Sequence, residues 1–402
     1  MVTHPYQEPH RDAGYVPSEI GRVSPAHRNH HTRSHRGALA AAALAVAVLS
    51  GSIGGVAAVA VQPYLSTLGT VATTVAAVPN PVVGLSAAPV EQVAARVVPS
   101  VVQLQTDTGE ASEQGSGIIL TADGLIMTNN HVVSVEDDDA PADQGPPHTL
   151  VTFADGHTAP FTVVATDPTS DIAVVQAQGA TGLTPIAMGS SSDLRVGQQV
   201  VAVGSPLGLD GTVTAGIVSA LDRPVSTGEA GSGNQPTTID AIQTDAPINP
   251  GNSGGALVDA NGRLVGMNSA IASIRNPTVD QSGSIGLGFA IPVDQAKRVV
   301  DELITTGKAS HGSLGVQVGT DPSVNGAQIV GITSGGPAAA AGLSVGSVVT
   351  RVDHQVIGDA DALAAAVQTK APGDTITLNY LDSLGVARTD HVVLGTDQAQ
   401  KS

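Results

Sequence analysis

Three short segments of the chain carry the residue types that nucleophilic hydrolysis requires. A serine hydroxyl is a weak nucleophile, so it needs a histidine to accept its proton and a carboxylate to hold that histidine in one tautomer. His131, Asp171 and Ser253 fit these three roles. They lie in the segments TNNHVV (128–133), DIAVV (171–175) and NPGNSGG (249–255). Each segment alone is common in loops and strands, but the three together predict a catalytic triad.

Two glycines beside Ser253 predict a site for developing negative charge. Gly251 and Gly254 let the backbone turn sharply, so that the amides of Gly251 and Ser253 aim at one point. Such an oxyanion hole stabilises the tetrahedral intermediate of acyl transfer. The order His, Asp, Ser along the chain is that of chymotrypsin-like enzymes and differs from that of subtilisin and the α/β-hydrolases.

The composition excludes several other classes of function. The 402-residue chain has a formal net charge of −18, whereas a nucleic-acid-binding protein needs a basic surface. It contains no cysteine, which excludes disulfides, thiolate metal sites and cysteine nucleophiles. The acidic run at residues 136–139, followed by Asp143, matches no EF-hand spacing, and a solvated loop is the favoured interpretation. We therefore expect no cofactor, no metal and no nucleic-acid partner.

An uncharged segment near the N-terminus predicts a membrane anchor. Residues 38–61 carry no charge and, as a helix, would extend about 36 Å, enough to span a hydrocarbon core of about 30 Å. Arg33 and Arg36 precede this transmembrane helix, which by the positive-inside rule makes residues 1–37 a disordered cytoplasmic tail. Residues 62–89 would form a proline-interrupted linker, with everything after it outside the cytoplasm. A cleaved signal peptide and a buried helix are the alternatives.

The rest of the chain predicts two folded units, at residues 90–307 and 311–396. Up to about residue 291, short β-branched runs broken by glycine predict an all-β barrel or sandwich. A helix follows Pro292 and stops at Gly307. Its apolar positions at helical spacing are Val293, Ala296, Val300, Leu303 and Ile304. The second unit has strands at each end and a helix over residues 361–370 that is capped by an aspartate.

The motifs resemble those of one protease family. The segments around His131 and Asp171, together with residues 242–257 (IQTDAPINPGNSGGAL) and 286–292 (GLGFAIP), are similar to the HtrA/Deg trypsin-like serine proteases with a C-terminal PDZ domain. The resemblance covers roughly residues 90–395, and the anchor resembles the membrane-bound actinobacterial, PepD-like branch. It implies a mostly β architecture, in which a chymotrypsin-like double β-barrel is followed by an α+β PDZ domain.

The resemblance also assigns roles to individual residues. His131 would be the general base, Asp171 its orienting carboxylate and Ser253 the nucleophile, with the amides of Gly251 and Ser253 as oxyanion donors. A homotrimer is implied as well. Other candidates for the triad suit the family's pattern less well, because they do not begin an apolar strand or lie in or beside polar loops: Asp155, Asp167, His148 and His157.

Asn252 marks a departure from the digestive relatives of this family. Those enzymes carry an aspartate before the catalytic serine, and it pairs with a new N-terminal ammonium after zymogen cleavage. The neutral Asn252 cannot form that ion pair, so loop rearrangement must set the activity instead. Residues 226–236 match the position of the family's regulatory loop, and an inert flexible insertion is the equal alternative.

The resemblance also predicts a substrate pocket and a peptide groove. Pro247 stands six residues before Ser253, where trypsin-type enzymes place an aspartate, so a basic side chain would find no partner. A small aliphatic residue such as Val or Ala is expected before the scissile bond. The pocket would be lined by Ile248, Ser269, Ala270 and Ile271, and the carboxylate-binding loop of the PDZ domain would be Ser313, Leu314, Gly315 and Val316.

The peptide groove of the PDZ domain would lie between residues 316–318 and the helix at 362–367, where strand addition captures a peptide C-terminus. Gly346-Ser347 and His354-Gln355 depart from the family's usual turns and put ligand preference in question more than the fold. The sequence thus predicts a membrane-anchored serine endopeptidase that cleaves unfolded or regulatory proteins in extracytoplasmic quality control or stress signalling. A chaperone or peptide-binding scaffold with a mostly inactive protease site is the alternative, and an esterase is a weaker one.

Overall fold

The first lobe of the fold is a curled antiparallel sheet. The computed structural model describes residues 89–107, 112–134, 147–205, 211–227, 237–270, 286–319, 321 and 323–396. The elements of the first lobe are α1 (Val90–Val97), β1 (Val101–Asp107), β2 (Ser112–Ile119), β3 (Leu125–Thr128), α2 (Asn130–Val133), β4 (His148–Thr152), β5 (Thr158–Ala159), β6 (Phe161–Asp167) and β7 (Ile172–Ala177). The strands pair in the order β5-β4-β1-β2-β3-β7-β6.

The second lobe is a closed six-stranded barrel. It contains β8 (Gln199–Gly204), β9 (Thr212–Thr227), β10 (Thr237–Thr244), β11 (Ala256–Asp259), β12 (Leu264–Ser269) and β13 (Gly288–Pro292), which pair in the circular order β10-β13-β12-β11-β8-β9. One apolar cluster contains buried side chains of both lobes, among them Ile118 on β2, Ile172 on β7 and Val201 on β8. The two sheets therefore share a core.

The expectation of two barrels holds for the second lobe and needs correction for the first. Among the described residues no ladder joins β5 to β6, so the seven-stranded sheet is open. The reason is local, because β5 has only two residues and Pro160 after it has no N–H to donate to a ladder. The Thr149 hydroxyl on β4 instead donates to the Phe161 carbonyl on β6 and holds the sheet in its curl.

Helix α3 (Val293–Thr306) ends the protease part of the chain and follows the predicted pattern closely. Pro292 is its N-cap residue, and Gly307 ends it at φ 74° with an N–H that donates to the Leu303 carbonyl. The predicted apolar stripe is wrong at Ile304, which is largely exposed, while Val299 is buried in its place.

The last part of the fold is a small sheet flanked by two helices. Its elements are β14 (Gly312–Ser313), β15 (Val316–Gly319), β16 (Ala327–Ile332), α4 (Pro337–Ala340), β17 (Val348–Val352), β18 (Gln355–Val356), α5 (Ala360–Gln368), β19 (Thr375–Leu381), β20 (Ala387–Val393) and β21 (Gly395–Thr396). The main sheet has the order β15-β16-β17-β19-β20, with β18 on β17, and β14 pairs with β21. Helix α5 is capped by Asp359, whose carboxylate accepts from the Ala362 N–H at 2.8 Å, whereas the sequence placed the helix start at Asp361.

None of the helices in the described part of the chain, which starts at residue 89, is long and apolar enough to cross a membrane. The predicted tail, transmembrane helix and most of the linker lie in residues 1–88, outside the described residues.

The small sheet and helix α5 dock on the protease lobes through titratable side chains. His311 binds the Gln368 carbonyl through Nδ1 (3.0 Å) and the Asp167 carboxylate through Nε2 (3.0 Å). Gln355 donates to the Asp240 carboxylate on β10 at 3.2 Å. Next to it, His354 contacts Asp222 on β9 at 3.1 Å. The His354-Gln355 turn, singled out for its unusual sequence, therefore faces the barrel.

These contacts shift the protonation of the buried partners. Burial lowers the pKa of His311, but the hydrogen bond and negative charge of Asp167 outweigh it, so the pKa is raised. Burial, followed by the negative charge of Asp222, raises the pKa of Asp240 to about 7, although Lys370 and Gln355 act in the opposite direction. Both groups therefore bind a proton more tightly in the folded protein than in the unfolded chain.

We predict that the folded state becomes less stable as pH rises from 6 to 8. The contribution of His311 is complete below its ordinary pKa of 6.5, that of Asp240 below 3.8, and each is lost as pH rises through the raised value. Ionisation of Asp240 alone removes about 1 kcal/mol over this interval. Urea unfolding at several pH values should show this decrease, and the Asp240→Asn variant should show a smaller one.

The matched control is Asp301→Asn, because Asp301 is an exposed carboxylate on α3 that pairs only with the neighbouring Lys297 among the described residues. This variant should keep the pH dependence of the unmodified chain. An Asp240→Asn variant with that same dependence would contradict the assignment.

Candidate active site

The structure brings His131 and Asp171 together where β3 ends and the adjacent strand β7 begins. His131 Nδ1 lies 2.9 Å from both carboxylate oxygens of Asp171, and its backbone N–H donates to Oδ1 at 3.1 Å. The Asn129 side-chain amide donates to the Asp171 carbonyl at 2.9 Å. Asp171 is held at φ 56°, a conformation that is rare for residues other than glycine and costs about 1–3 kcal/mol. Its many bonds to residues 129–131 compensate for this strain.

The contact fixes which nitrogen of His131 is available for chemistry. A carboxylate only accepts hydrogen bonds, so Nδ1 carries the proton that it donates to Asp171. Nε2 then keeps its lone pair and can accept a proton from a nucleophile. Asp171 is nearly fully buried, while the His131 side chain is about one quarter exposed, so the base remains accessible to a substrate.

Ser253 lies in a tight loop, residues 249–255, that connects the predicted pocket residue Ile248 to β11. Gly251 and Gly254 have φ of 91° and 80°, where a side chain would be strained. A Cβ on Gly254 would also lie 2.1 Å from the Ser116 carbonyl oxygen, which leaves room only for glycine. The loop is further closed by hydrogen bonds from the Asn252 and Gly255 amides to the carbonyls of Asn249 and Asn252 (both 3.0 Å).

The backbone amides of Gly251 and Ser253 donate no hydrogen bond to any described residue. They are the two donors predicted for the oxyanion hole, and both remain available to a substrate. Ser253 Oγ accepts a hydrogen bond from the Ala270 N–H at 3.0 Å, and no hydrogen bond joins it to His131 within the described residues. Proton transfer from Ser253 Oγ to His131 would require the two side chains to form that hydrogen bond.

The competing residues considered from the sequence have other partners. Asp155 binds His157 at an exposed turn, Asp167 binds His311, and His148 is exposed on β4. Asn252 is buried, and its Oδ1 has no hydrogen-bond partner in the described part of the chain.

The structure describes three of the four predicted pocket residues. Ile248 and Ser269 are buried, Ala270 is half-buried beside Ser253, and Ile271 lies outside the described residues. The Pro247 carbonyl accepts a hydrogen bond from the Thr214 hydroxyl on β9 at 2.9 Å. The nearby Asp245 carboxylate accepts from the Ile217 N–H at 2.7 Å, so it is bound to the strand.

The small sheet carries a groove at the predicted place. Its volume is about 200 Å³, and it lies between the segment from Gly312 to Val318 and helix α5. The Gly315 N–H donates to the hydroxyl of Ser313 at 3.2 Å. The lining includes all four predicted loop residues, Ser313, Leu314, Gly315 and Val316, and the α5 residues Leu363, Ala364, Val367 and Gln368.

The sequence reasoning missed Asn129, which ties the triad's carboxylate to the segment of its base. Its neighbour Asn130 has the same residue type, so no pattern distinguishes the two. Among the described residues no group of three potential ligands could hold a metal ion. The acidic run at 136–143 and most of the predicted regulatory loop, residues 228–236, fall outside the described residues.

Comparisons with known proteins agree with this architecture. Residues 115–267 match the trypsin-like peptidase domain family, and residues 312–382 match the PDZ domain family. Serine protease PepD of Mycobacterium tuberculosis (strain ATCC 25618 / H37Rv) is 60% identical over 368 residues, which cover 90% of this chain and 79% of PepD. The periplasmic serine endoprotease DegP of Escherichia coli (strain K12) is 40% identical over 280 residues, which cover 66% of this chain and 54% of DegP.

Solved structures give the same result. The HtrA-type protease AlgW with a tripeptide matches with a TM-score of 0.54 at 34% sequence identity, covering 77% of this chain and 97% of that of AlgW. AlgW with a decapeptide matches with a TM-score of 0.53 at 31% identity. The chain therefore belongs to the HtrA-type trypsin-like serine proteases that carry a PDZ domain.

Proposed function

We propose that this serine protease is a membrane-anchored endopeptidase that cleaves unfolded or regulatory proteins outside the cytoplasm, in protein quality control or stress signalling. The observation that carries the chemistry is the contact of His131 with both oxygens of Asp171, together with a serine loop in which the Gly251 and Ser253 amides donate to no described residue. The anchor rests on the uncharged segment at residues 38–61, and the location on the periplasmic relative DegP. A homotrimer belongs to the same proposal.

In the first half of the proposed reaction, Ser253 Oγ attacks the carbonyl carbon of the scissile bond while His131 Nε2 takes the hydroxyl proton. The carbonyl oxygen becomes an oxyanion between the N–H groups of Gly251 and Ser253. The imidazolium, stabilised by the Asp171 carboxylate, then gives its proton to the leaving amine. In the second half, water attacks the acyl-enzyme with His131 again as the base.

A second candidate function rests on the resting geometry of the nucleophile. Because Ser253 Oγ is bound to the Ala270 N–H and not to His131, the described state is not aligned for attack. A chaperone or peptide-binding scaffold with a mostly inactive protease site would have such a resting state.

The triad is tested by Ser253→Ala and Asp171→Asn. We expect Ser253→Ala to abolish the cleavage of an unfolded protein such as casein, and Asp171→Asn to lower kcat by about 10⁴-fold, because the asparagine amide would stabilise the wrong tautomer of His131. Asp155→Asn is the matched control, since Asp155 pairs with the exposed His157 and should leave kcat unchanged. Cleavage by the Ser253→Ala variant at the unmodified rate would exclude the triad.

The same variant separates the two candidate functions. A scaffold would still suppress the aggregation of a heat-denatured client when Ser253 is replaced by alanine, and the unmodified chain would not cleave the client. Ser253-dependent degradation of the client favours the endopeptidase.

The pocket is tested by a library of peptides that vary only in the residue before the scissile bond. Ile248 is buried at the pocket and Pro247 supplies no charge, so we expect kcat/KM to be at least about 10-fold higher for Val or Ala than for Arg, which would lose its hydration without gaining a partner. A preference for Arg or Lys would contradict this assignment of the pocket.

The peptide groove is tested by Ala364→Phe. Ala364 is half-buried on α5 and lines the groove, so a phenyl ring there should occupy the space of a peptide side chain. We expect the affinity for a peptide with a free, aliphatic C-terminus to fall at least about 10-fold in a fluorescence polarisation titration. The same peptide with an amidated C-terminus should bind the unmodified chain weakly, and equal binding of both peptides would contradict carboxylate capture.

A further inference from the structure

We infer that Ser116, on β2, is a positioning residue for the oxyanion loop, which we define as residues 249–255; the inference rests on the proposed proteolytic function. Ser116 is completely buried. Its hydroxyl donates to the Gly251 carbonyl at 2.7 Å and accepts from the Ser205 N–H at 2.8 Å. Its own N–H donates to the Ser253 carbonyl at 2.7 Å. One residue of the first lobe thus binds the carbonyls of both residues whose N–H groups are the predicted oxyanion donors.

The hydroxyl fixes the second end of a peptide group that the loop itself holds at only one end. Gly251 has no Cβ, so its backbone can adopt several orientations at little cost. The peptide group between Gly251 and Asn252 is planar, and it is held at both ends, by Ser116 at the oxygen and by the Asn249 carbonyl at the N–H. With this plane fixed, the direction of the Gly251 N–H is restricted as well.

Ser116 also connects the loop to both lobes. Ser205 directly follows β8 of the barrel, and the Ser116 carbonyl accepts from the hydroxyl of Thr128 at 2.7 Å, three residues before His131. Ser116 therefore contacts three parts of the protease through its side chain and backbone: the oxyanion loop, the barrel and the strand that leads to His131. Removal of the hydroxyl would leave the half-buried Gly251 carbonyl and the buried Ser205 N–H without this partner.

This arrangement acts on the transition state more than on substrate binding. The amides of Gly251 and Ser253 stabilise charge that develops only when the carbonyl is attacked, and their effect depends on accurate placement. The pocket around Ile248 binds the substrate side chain before attack and does not contact Ser116 through any described hydrogen bond. The loss of the hydroxyl should therefore lower kcat and leave KM nearly unchanged.

The experiment compares Ser116→Ala and Ser116→Cys in the full-length protein, with casein-derived peptide substrates. We expect kcat to fall about 10- to 100-fold in Ser116→Ala, less than or equal to the loss of one complete oxyanion donor, with KM within about twofold. Ser116→Cys retains a weak S–H donor, so its kcat should lie between the two. Thr149→Val is the matched control, because Thr149 also donates to a backbone carbonyl but lies on β4, which is separated from β2 by β1.

A second readout separates positioning from packing. A peptide aldehyde forms a tetrahedral adduct with Ser253 that uses the oxyanion hole, so its inhibition constant should rise in parallel with the loss of kcat/KM in Ser116→Ala. The inhibition constant of the corresponding product peptide, which binds the pocket without that charge, should not change. Circular dichroism and PDZ-peptide binding establish that each variant is folded.

Two results would overturn the inference: an unchanged kcat in a folded Ser116→Ala variant, or a loss no larger than that of Thr149→Val. If Ser116→Ala does not fold, unchanged kcat and aldehyde inhibition in Ser116→Cys overturn it instead. Absence of Ser253-dependent cleavage in the unmodified protein is a different outcome, because it removes the proposed function and the inference together.

Discussion

The residues proposed as nucleophile and base belong to different sheets, and this division constrains the rest of the protease. His131 and Asp171 lie at the ends of strands in the open seven-stranded sheet, whereas Ser253 precedes β11 of the closed barrel. A reaction that requires oxygen and nitrogen within hydrogen-bond distance therefore depends on how firmly the two lobes are joined. The shared apolar core contributes to that attachment, but apolar contacts have no direction. The hydrogen bonds of Ser116 to Gly251, Ser253 and Ser205 cross between the lobes and supply that direction.

The active site is shaped mainly by backbone groups. Asp171 is oriented by the backbone amides of Asn130 and His131 and by the side-chain amide of Asn129. The oxyanion loop is closed by its own carbonyls and by Ser116. The digestive relatives become active when zymogen cleavage creates one charged group, the N-terminal ammonium that pairs with the aspartate before the serine. Asn252 offers no such charge, so the loop here is held by several neutral hydrogen bonds of modest individual strength. Small rearrangements of neighbouring segments can then change its alignment.

Sequence reasoning identified the residues whose chemistry leaves few alternatives and missed those whose role is geometric. His131, Asp171 and Ser253 are predicted as a triad because acyl transfer restricts the residue types, and the structure joins the first two directly. Asn129 and Ser116 were missed, since an asparagine in a loop and a serine between glycines in a strand carry no periodicity. The first sheet stays open because β5 has only two residues. The cap of α5 is Asp359, two positions before the predicted start of the helix. Element boundaries of that kind are decided by tertiary pairing, which local pattern does not contain.

Helix α5, which lines the groove of the PDZ domain, is connected by hydrogen bonds to the turn that precedes Asp171. The last turn of α5 exposes carbonyls that no helical amide can satisfy. His311 donates to the carbonyl of Gln368, and Arg298 on α3 donates to that of Thr369 at 3.3 Å. The other nitrogen of His311 binds Asp167, which is four residues before Asp171 and also accepts from the Ser170 N–H at 3.2 Å. A hydrogen-bonded path therefore runs from the end of α5, which lines the groove, through His311 and Asp167 to the turn that precedes Asp171.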